Sequence, residues 1–142
     1  MNPARTLEEA LSAMTFEVIP GRFLLAGFPE APTLADLEAL DPGPGQIIQE
    51  GGETTLLVPA GERAGVLARH PRAQLAENLV WIRFRAPMSW EVVGFLAHVT
   101  GALAEAGVSL GAICGFSRDH LFLDERALAP TLGVLTELFA KG

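Results

Sequence analysis

Apolar residues recur at two spacings along the first half of the chain, and each spacing predicts a different kind of element. Leu7, Leu11 and Met14 follow a potential cap at Thr6, which predicts a short helix over 6–14. The other elements predicted for this half are an extended segment Phe16–Phe28 split at Pro20-Gly21, a helix capped by Thr33 with Leu34, Leu37 and Leu40 on one face, a hairpin of Gln46–Glu50 and Glu53–Val58 around Gly51-Gly52, and a helix over Gly61–Arg69.

The second half repeats this order with a clearer pattern. Alternation over Leu79–Arg85 predicts a strand, and Ser89 is placed to cap a helix over 90–106 that ends at Gly107. The remaining predictions are a helix stripe of Val93, Leu96, Val99 and Leu103, a hairpin of Val108–Phe116 and Asp119–Leu123, and a last helix from about Ala129 that turns Leu128, Leu132, Leu135 and Phe139 inward.

Each half therefore approximates β-α-β-β-α, one strand short of the ferredoxin-like β-α-β-β-α-β unit. An unpaired sheet edge is an aggregation liability. We therefore predict that Phe16–Ile19 pairs with the sheet that contains Leu79–Arg85. The pattern predicts an α+β chain of two such units, with residues 1–74 forming the first, including the N-terminal helix and extra strand, and 75–142 forming the second.

Composition narrows the classes of function. The chain has 142 residues, with 10 Lys+Arg against 17 Asp+Glu, a net charge of −7 and a single lysine, Lys141. A chain this acidic is a poor nucleic-acid partner, because such binding depends on basic residues that neutralise phosphates. Apolar runs such as Val92–Ala97 are too short to span a membrane. The single cysteine favours a cytoplasmic protein.

Residues for metal, cofactor or catalytic chemistry are sparse. His70, His98, His120 and Cys114 do not have metal-ligand spacing. No nucleophile elbow, phosphate loop or dinucleotide fingerprint is present. An enzyme built on Cys114, Asp119 and His120 is the least favoured interpretation, because neighbouring residues on a strand point to opposite faces. We therefore expect that the chain is not an enzyme and that it has no catalytic residue, no metal and no cofactor.

The segment 93–108 resembles the signature of ACT domains. Gly94 stands at the predicted helix start and is followed at the signature's spacing by Leu96, Val99, Leu103 and Gly107. Together, 89–94 and 114–122 resemble a group of bacterial tandem-ACT proteins, to which eukaryotic cytosolic arginine sensors are similar. The resemblance is strong over 79–123 and looser over 20–58. It departs from the family at 116–119, which reads Phe-Ser-Arg-Asp, and at Leu123-Asp124, where an aliphatic residue is usually followed by proline.

This resemblance implies a non-catalytic regulatory module that binds an amino acid in a cleft between ACT units, is a homodimer, and acts on a separate effector protein. The helix start would offer backbone donors to a carboxylate, and the acid of the hairpin would hold an ammonium or guanidinium group. The ligand-binding residues expected on this basis are Ser89, Val92, Gly94, Cys114, Phe116 and Asp119.

Each of these residues also has a purely structural interpretation. Ser89 can be a helix cap alone, Gly94 can allow close packing, Asp119 can be a turn residue, and Cys114 can be a small core residue. The alternative function is a ligand-free structural or protein-interaction module that acts through oligomerisation.

Overall fold

A computed structural model describes residues 2–139 as an α+β fold. Backbone contacts divide the chain into two compact units: Pro20–Leu79, and the described residues up to Ile19 together with those from Val80 onward. We call these the central unit and the terminal unit. The elements are α1 (Leu7–Ala13), β1 (Phe16–Val18), β2 (Phe23–Phe28), α2 (Leu34–Glu38), β3 (Gln46–Glu50), β4 (Glu53–Pro59), α3 (Arg63–Arg69), β5 (Gln74–Phe84), α4 (Phe95–Glu105), β6 (Gly111–Cys114), β7 (Asp119–Asp124) and α5 (Leu128–Leu138).

The central unit has the element order β-α-β-β-α-β, from β2 to the first part of β5. Its strands lie in the order β3-β4-β2-β5, and the pairs they form are antiparallel. The predicted hairpin at Gly51-Gly52 is confirmed, and Gly52 has the positive φ of 107° that suits glycine in a tight turn. The buried core consists of Leu24, Ala26, Phe28, Ala39, Leu56, Val58 and Val66.

Strand β5 begins at Gln74, five residues before the predicted start at Leu79. The residues that precede Leu79 are mostly exposed and polar, so they lack the alternation that marks a half-buried strand. They nevertheless pair with β2, with Gln74 opposite Gly27 and Ala76 opposite Leu25. This segment completes the sheet of the central unit.

A charged cluster whose centre, Asp36 and His70, is buried lies where a loose connector was expected. We call it the His70 cluster; it consists of Glu30, Asp36, Arg69, His70 and Arg72. The His70 ring lies 3.0 Å from a Glu30 oxygen and 2.8 Å from an Asp36 oxygen, and it stacks on Phe28. Arg69 donates to Asp36 at 2.7 Å, and Arg72 donates to Glu30 at 3.0 Å. Oppositely charged neighbours compensate these charges for the loss of water.

The predicted face of α2 is wrong in part: Leu40 packs against the core as expected, but Leu34 and Leu37 do not. Leu34 and Leu37 are exposed, and Asp36 and Ala39 are buried instead. The cap at Thr33 is confirmed: its hydroxyl accepts from the Asp36 N–H, while the Asp36 carboxylate accepts from the Thr33 N–H. The Asp36 carboxylate thus points inward, toward the His70 ring.

In the terminal unit the strands lie in the order β1-β5-β7-β6. The predicted pairing of the segment Phe16–Ile19 is confirmed, because Phe16 lies opposite Phe84 and Val18 opposite Ile82. Residues 2–19 therefore lie in the terminal unit, whereas the sequence predicted a first unit of residues 1–74. The buried core consists of Ala10, Met14, Val80, Ile82, Phe84, Ala86, Met88, Phe95, Val99, Leu103, Val108, Leu121, Leu123 and Leu135.

Helix α4 begins at Phe95, not at Trp90 as predicted. Gly94 is its N-cap and has φ 94°, a left-handed conformation that separates the helix from the preceding turns. The buried stripe is consequently Phe95, Val99 and Leu103, and Val93 is exposed. At the other end Gly107 has φ 78°, which confirms the predicted left-handed stop. None of the helices in residues 2–139 has the length and apolar character that crossing a membrane requires.

Candidate functional site

A cavity of about 450 Å³ lies in the terminal unit between the segment 88–97 and the end of the β6–β7 hairpin. All six residues predicted to bind a ligand line this cavity, although the sequence stretches that hold them are far apart. They are Ser89, Val92, Gly94, Cys114, Phe116 and Asp119.

The segment before α4 forms one wall and is held by backbone hydrogen bonds. The Met88 N–H donates to the Ser117 carbonyl at 2.7 Å, which ties this segment to the β6–β7 turn. The Ser89 N–H donates to the Ala4 carbonyl at 2.7 Å. The Ser89 hydroxyl accepts from the Glu91 N–H at 3.1 Å. Ser89 therefore caps a local turn, and the prediction that it caps the helix is wrong.

The amino end of α4 forms the second part of the wall. The first intrahelical bond runs from the His98 N–H to the Gly94 carbonyl at 2.9 Å. The N–H groups of Phe95, Leu96 and Ala97 precede this ladder, and all three residues line the cavity. Together with the helix dipole, these donors favour a negatively charged group at this end of the cavity.

Asp119 supplies an acid at the opposite wall. It is the first residue of β7 and lies opposite Cys114 in the antiparallel pair. Among residues 2–139, no Lys, Arg or His forms an ion pair with its carboxylate. Burial raises the pKa of Asp119, and a hydrogen bond from Cys114 offsets part of that effect. A half-buried carboxylate in this setting gains from a cationic partner.

Cys114 is exposed, so its interpretation as a core residue is wrong. Partial burial raises the pKa of its thiol, and the nearby Asp119 charge raises it further. A raised thiol pKa disfavours the nucleophilic thiolate at neutral pH. His120 accepts a hydrogen bond from the Trp81 indole at 3.1 Å, and it does not line the cavity.

Exposed aromatic side chains border the cavity, and buried apolar side chains form its floor. Trp90 is 92% exposed and Phe116 is 98% exposed, and both line it. Met88 and Phe95 are buried and form the apolar floor. Exposed aromatic groups beside a pocket are typical of surfaces that contact a ligand or another protein.

Sequence reasoning missed Arg118 as a lining residue. In the sequence, Arg118 stands in the connection between the two predicted strands of the hairpin, yet it lines the cavity beside Asp119. Its Nε donates to the Arg85 carbonyl at 2.8 Å. An arginine within a two-residue turn signal is indistinguishable by sequence from an ordinary solvated residue, so no local pattern could have found it. In the described part of the chain, no group of three or more His, Cys, Asp or Glu residues could hold a metal ion.

Comparison with known proteins identifies the fold. No family model matches the chain, and no curated protein matches it significantly. A Vibrio cholerae protein of unknown function is 25% identical, covers 91% of this chain and 92% of its own, and has a TM-score of 0.68. The regulatory subunit of aspartate kinase from Thermus thermophilus is 13% identical over 88% of this chain and 97% of its own, with a TM-score of 0.65.

A third similar structure is Escherichia coli aspartokinase III in complex with aspartate and ADP. It is 12% identical, covers 91% of this chain and 33% of its own, and has a TM-score of 0.65. The chain therefore has an α+β fold similar to that of the ACT-containing regulatory domains of aspartate kinase.

Proposed function

We propose that this chain is a non-catalytic regulatory module that binds a small zwitterion, an amino acid, in the cavity beside Asp119. The observation that carries the proposal is that the amino end of α4 and Asp119, which has no ion-pair partner among residues 2–139, lie on walls of the same cavity. The finer fold assignment is also part of the proposal: the chain forms two ferredoxin-like, ACT-like units, which correspond to the central unit and the terminal unit.

The two walls suit the two charges of an amino acid. The N–H groups of Phe95, Leu96 and Ala97 are placed to hold a carboxylate, and the half-buried Asp119 is placed to hold an ammonium group. The helix dipole contributes only about 0.3–1 kcal/mol, or ~2 kcal/mol when partly buried. Micromolar affinity requires about 8 kcal/mol. The ion pair to Asp119 and burial of an apolar side chain against the aromatic wall must supply the remainder.

A ligand regulates only if it binds one arrangement of the protein better than another. We propose that binding shifts such an equilibrium in a cytoplasmic homodimer, which passes the change to a separate effector protein. Neither nucleic acid nor a membrane is a proposed partner, because the acidic charge opposes the first and the short apolar runs oppose the second. The similarity to regulatory subunits of aspartate kinase supports the choice of a regulatory role.

A thermal-shift screen with the standard amino acids tests the proposal. A ligand at a concentration of 100 times its Kd stabilises by about 2.7 kcal/mol, and for a chain of this size that raises the Tm by roughly 8 °C. Asp119→Asn removes the charge and keeps the shape, so the ligand-induced shift should disappear. Because ionising Asp119 costs stability in the folded state, the ligand-free Tm of this variant should be unchanged or slightly higher.

Asp41→Asn is the matched control, because it removes an exposed aspartate of the central unit. The control should retain the full ligand-induced shift. No shift with any amino acid, or an equal loss of the shift in both variants, would contradict the proposal.

The second candidate is the ligand-free interaction module. The exposure of Trp90 and Phe116, which line the cavity, and of Val93, which lies between two lining residues in the sequence, favours it. In that case Trp90→Ser should lower the oligomeric state measured by analytical ultracentrifugation, and no amino acid should change the Tm. A ligand-dependent Tm that needs Asp119 would reject this second candidate.

A further inference from the structure

A second hollow in the terminal unit is lined by three arginines and one glutamate. Arg83, Arg85, Arg118 and Glu17 surround about 460 Å³. We call these four residues the arginine cluster. Three positive charges and one negative charge leave 3 − 1 = +2 at this place, although the whole chain carries a net charge of −7. A local excess of this sign attracts anions.

Sheet pairing and hydrogen bonds hold the cluster in place. Glu17 on β1 lies directly opposite Arg83 on β5, and the Arg83 Nη2 atom is 2.9 Å from a Glu17 oxygen. Arg85 reaches the other Glu17 oxygen at 3.5 Å. The Arg118 Nε donates to the Arg85 carbonyl at 2.8 Å. Glu17 is thus shared by two guanidinium groups, and Arg118 is anchored through a neutral carbonyl that does not balance its charge.

The neighbouring histidine, His120, is held in its neutral form. Burial lowers the pKa of His120, and the positive charges of Arg83 and Arg118 lower it further. The Trp81 indole donates to its Nδ1, an arrangement that needs this nitrogen unprotonated. His120 is therefore neutral and adds no charge beside the hollow, and Glu17 is the one acid among the hollow's lining residues.

We propose that the arginine cluster binds a small multivalent oxyanion, a phosphate ester or a polycarboxylate. Guanidinium groups recognise both classes through paired N–H donors. The net negative charge of the whole chain opposes a long polyanion, while a small anion experiences chiefly the local positive field. Arg118 lines both this hollow and the cavity beside Asp119, whereas Glu17, Arg83 and Arg85 line the hollow and not that cavity. The oxyanion site therefore does not depend on the proposed amino-acid function.

Isothermal titration calorimetry of the full chain at constant ionic strength tests the site with two probes, pyrophosphate and citrate. At least one probe should bind, and the probe with the higher affinity identifies the class of anion, phosphate ester or polycarboxylate. Arg83→Gln should weaken that binding about tenfold, because it removes a charge-assisted contact. Arg63→Gln is the matched control: this exposed arginine of the central unit pairs with Glu77 and should bind the probe like the wild type.

Glu17→Gln provides a test in the opposite direction. It removes the one acid of the hollow, so binding of the same probe should become tighter, even though one native ion pair is lost. The proposal is overturned if neither probe binds, if Arg63→Gln weakens binding as much as Arg83→Gln, or if Glu17→Gln weakens binding.

Discussion

Replacing Asp36 with asparagine removes one negative charge from the His70 cluster without changing the volume of the side chain. The carboxylate is fully buried. One oxygen accepts from the Arg69 Nε at 2.7 Å, and the other lies 2.8 Å from both the Thr33 N–H nitrogen and the His70 ring nitrogen. Whichever oxygen becomes the amide nitrogen would then face a donor. The variant therefore loses at least one hydrogen bond and the charge that compensates its basic neighbours.

The size of the effect follows from burial. Removing one partner of a buried ion pair costs about 3–5 kcal/mol, because the other charge stays buried without compensation. We expect a free-energy cost in the upper part of this range, because the buried Nη2 of Arg69 already lacks a hydrogen-bond partner within residues 2–139. At roughly 3 °C per kcal/mol for a chain of this length, the Tm should fall by about 10–15 °C.

Urea unfolding followed by circular dichroism measures this change as a free energy. Glu38→Gln is the control, because Glu38 lies on the same helix, is exposed, and should change stability by less than about 0.5 kcal/mol. If Asp36→Asn unfolds within about 1 kcal/mol of the wild type, the buried charges are not coupled as described.

Further predictions concern acid stability, the helix start and the thiol. The pKa of Glu30 is lowered mainly by its hydrogen bond from His70, and the pKa of Asp36 is lowered because hydrogen bonds from Thr33, His70 and Arg69 outweigh its burial. The stability that these two carboxylates contribute should be complete above their ordinary pKa values of 4.5 and 3.8 and should be lost as the pH falls below them. Unfolding measured from pH 7 to pH 2 would show this loss. Gly94→Ala should destabilise the protein by about 1–2 kcal/mol in urea unfolding, because alanine must adopt φ 94° although its methyl group has space. Cys114 should react slowly with iodoacetamide at neutral pH and faster in Asp119→Asn, because the Asp119 charge helps to raise the thiol pKa; equal rates would contradict that link.

Local signals predicted the parts of the fold that depend on neighbouring residues. Thr6 accepts from the Glu9 N–H and caps α1 as expected, and Gly107 ends α4 in the left-handed conformation. One long-range feature was also predictable, because the argument that a sheet edge must be covered led to the pairing of Phe16 with Phe84.

Tertiary contacts decided the features that sequence reasoning missed. The turns over 89–94 are held partly by the Ala4 carbonyl, so the start of α4 could not be read from the segment itself. The inward side of α2 depends on His70, which is 34 residues away from Asp36. The six residues that the resemblance to ACT domains predicted to bind a ligand line one cavity, and their binding role stays a prediction. Arg118 lines the same cavity because of the position of the hairpin.

The most direct test of the account is a ¹⁵N–¹H NMR titration of the full chain with the amino acid that gives the largest thermal shift. The account predicts that the largest chemical-shift changes occur at the amides of Phe95, Leu96, Ala97 and Asp119 and vanish in Asp119→Asn. Saturating changes that occur elsewhere in the chain, or that persist unchanged in Asp119→Asn, would show that this cavity does not bind the zwitterion.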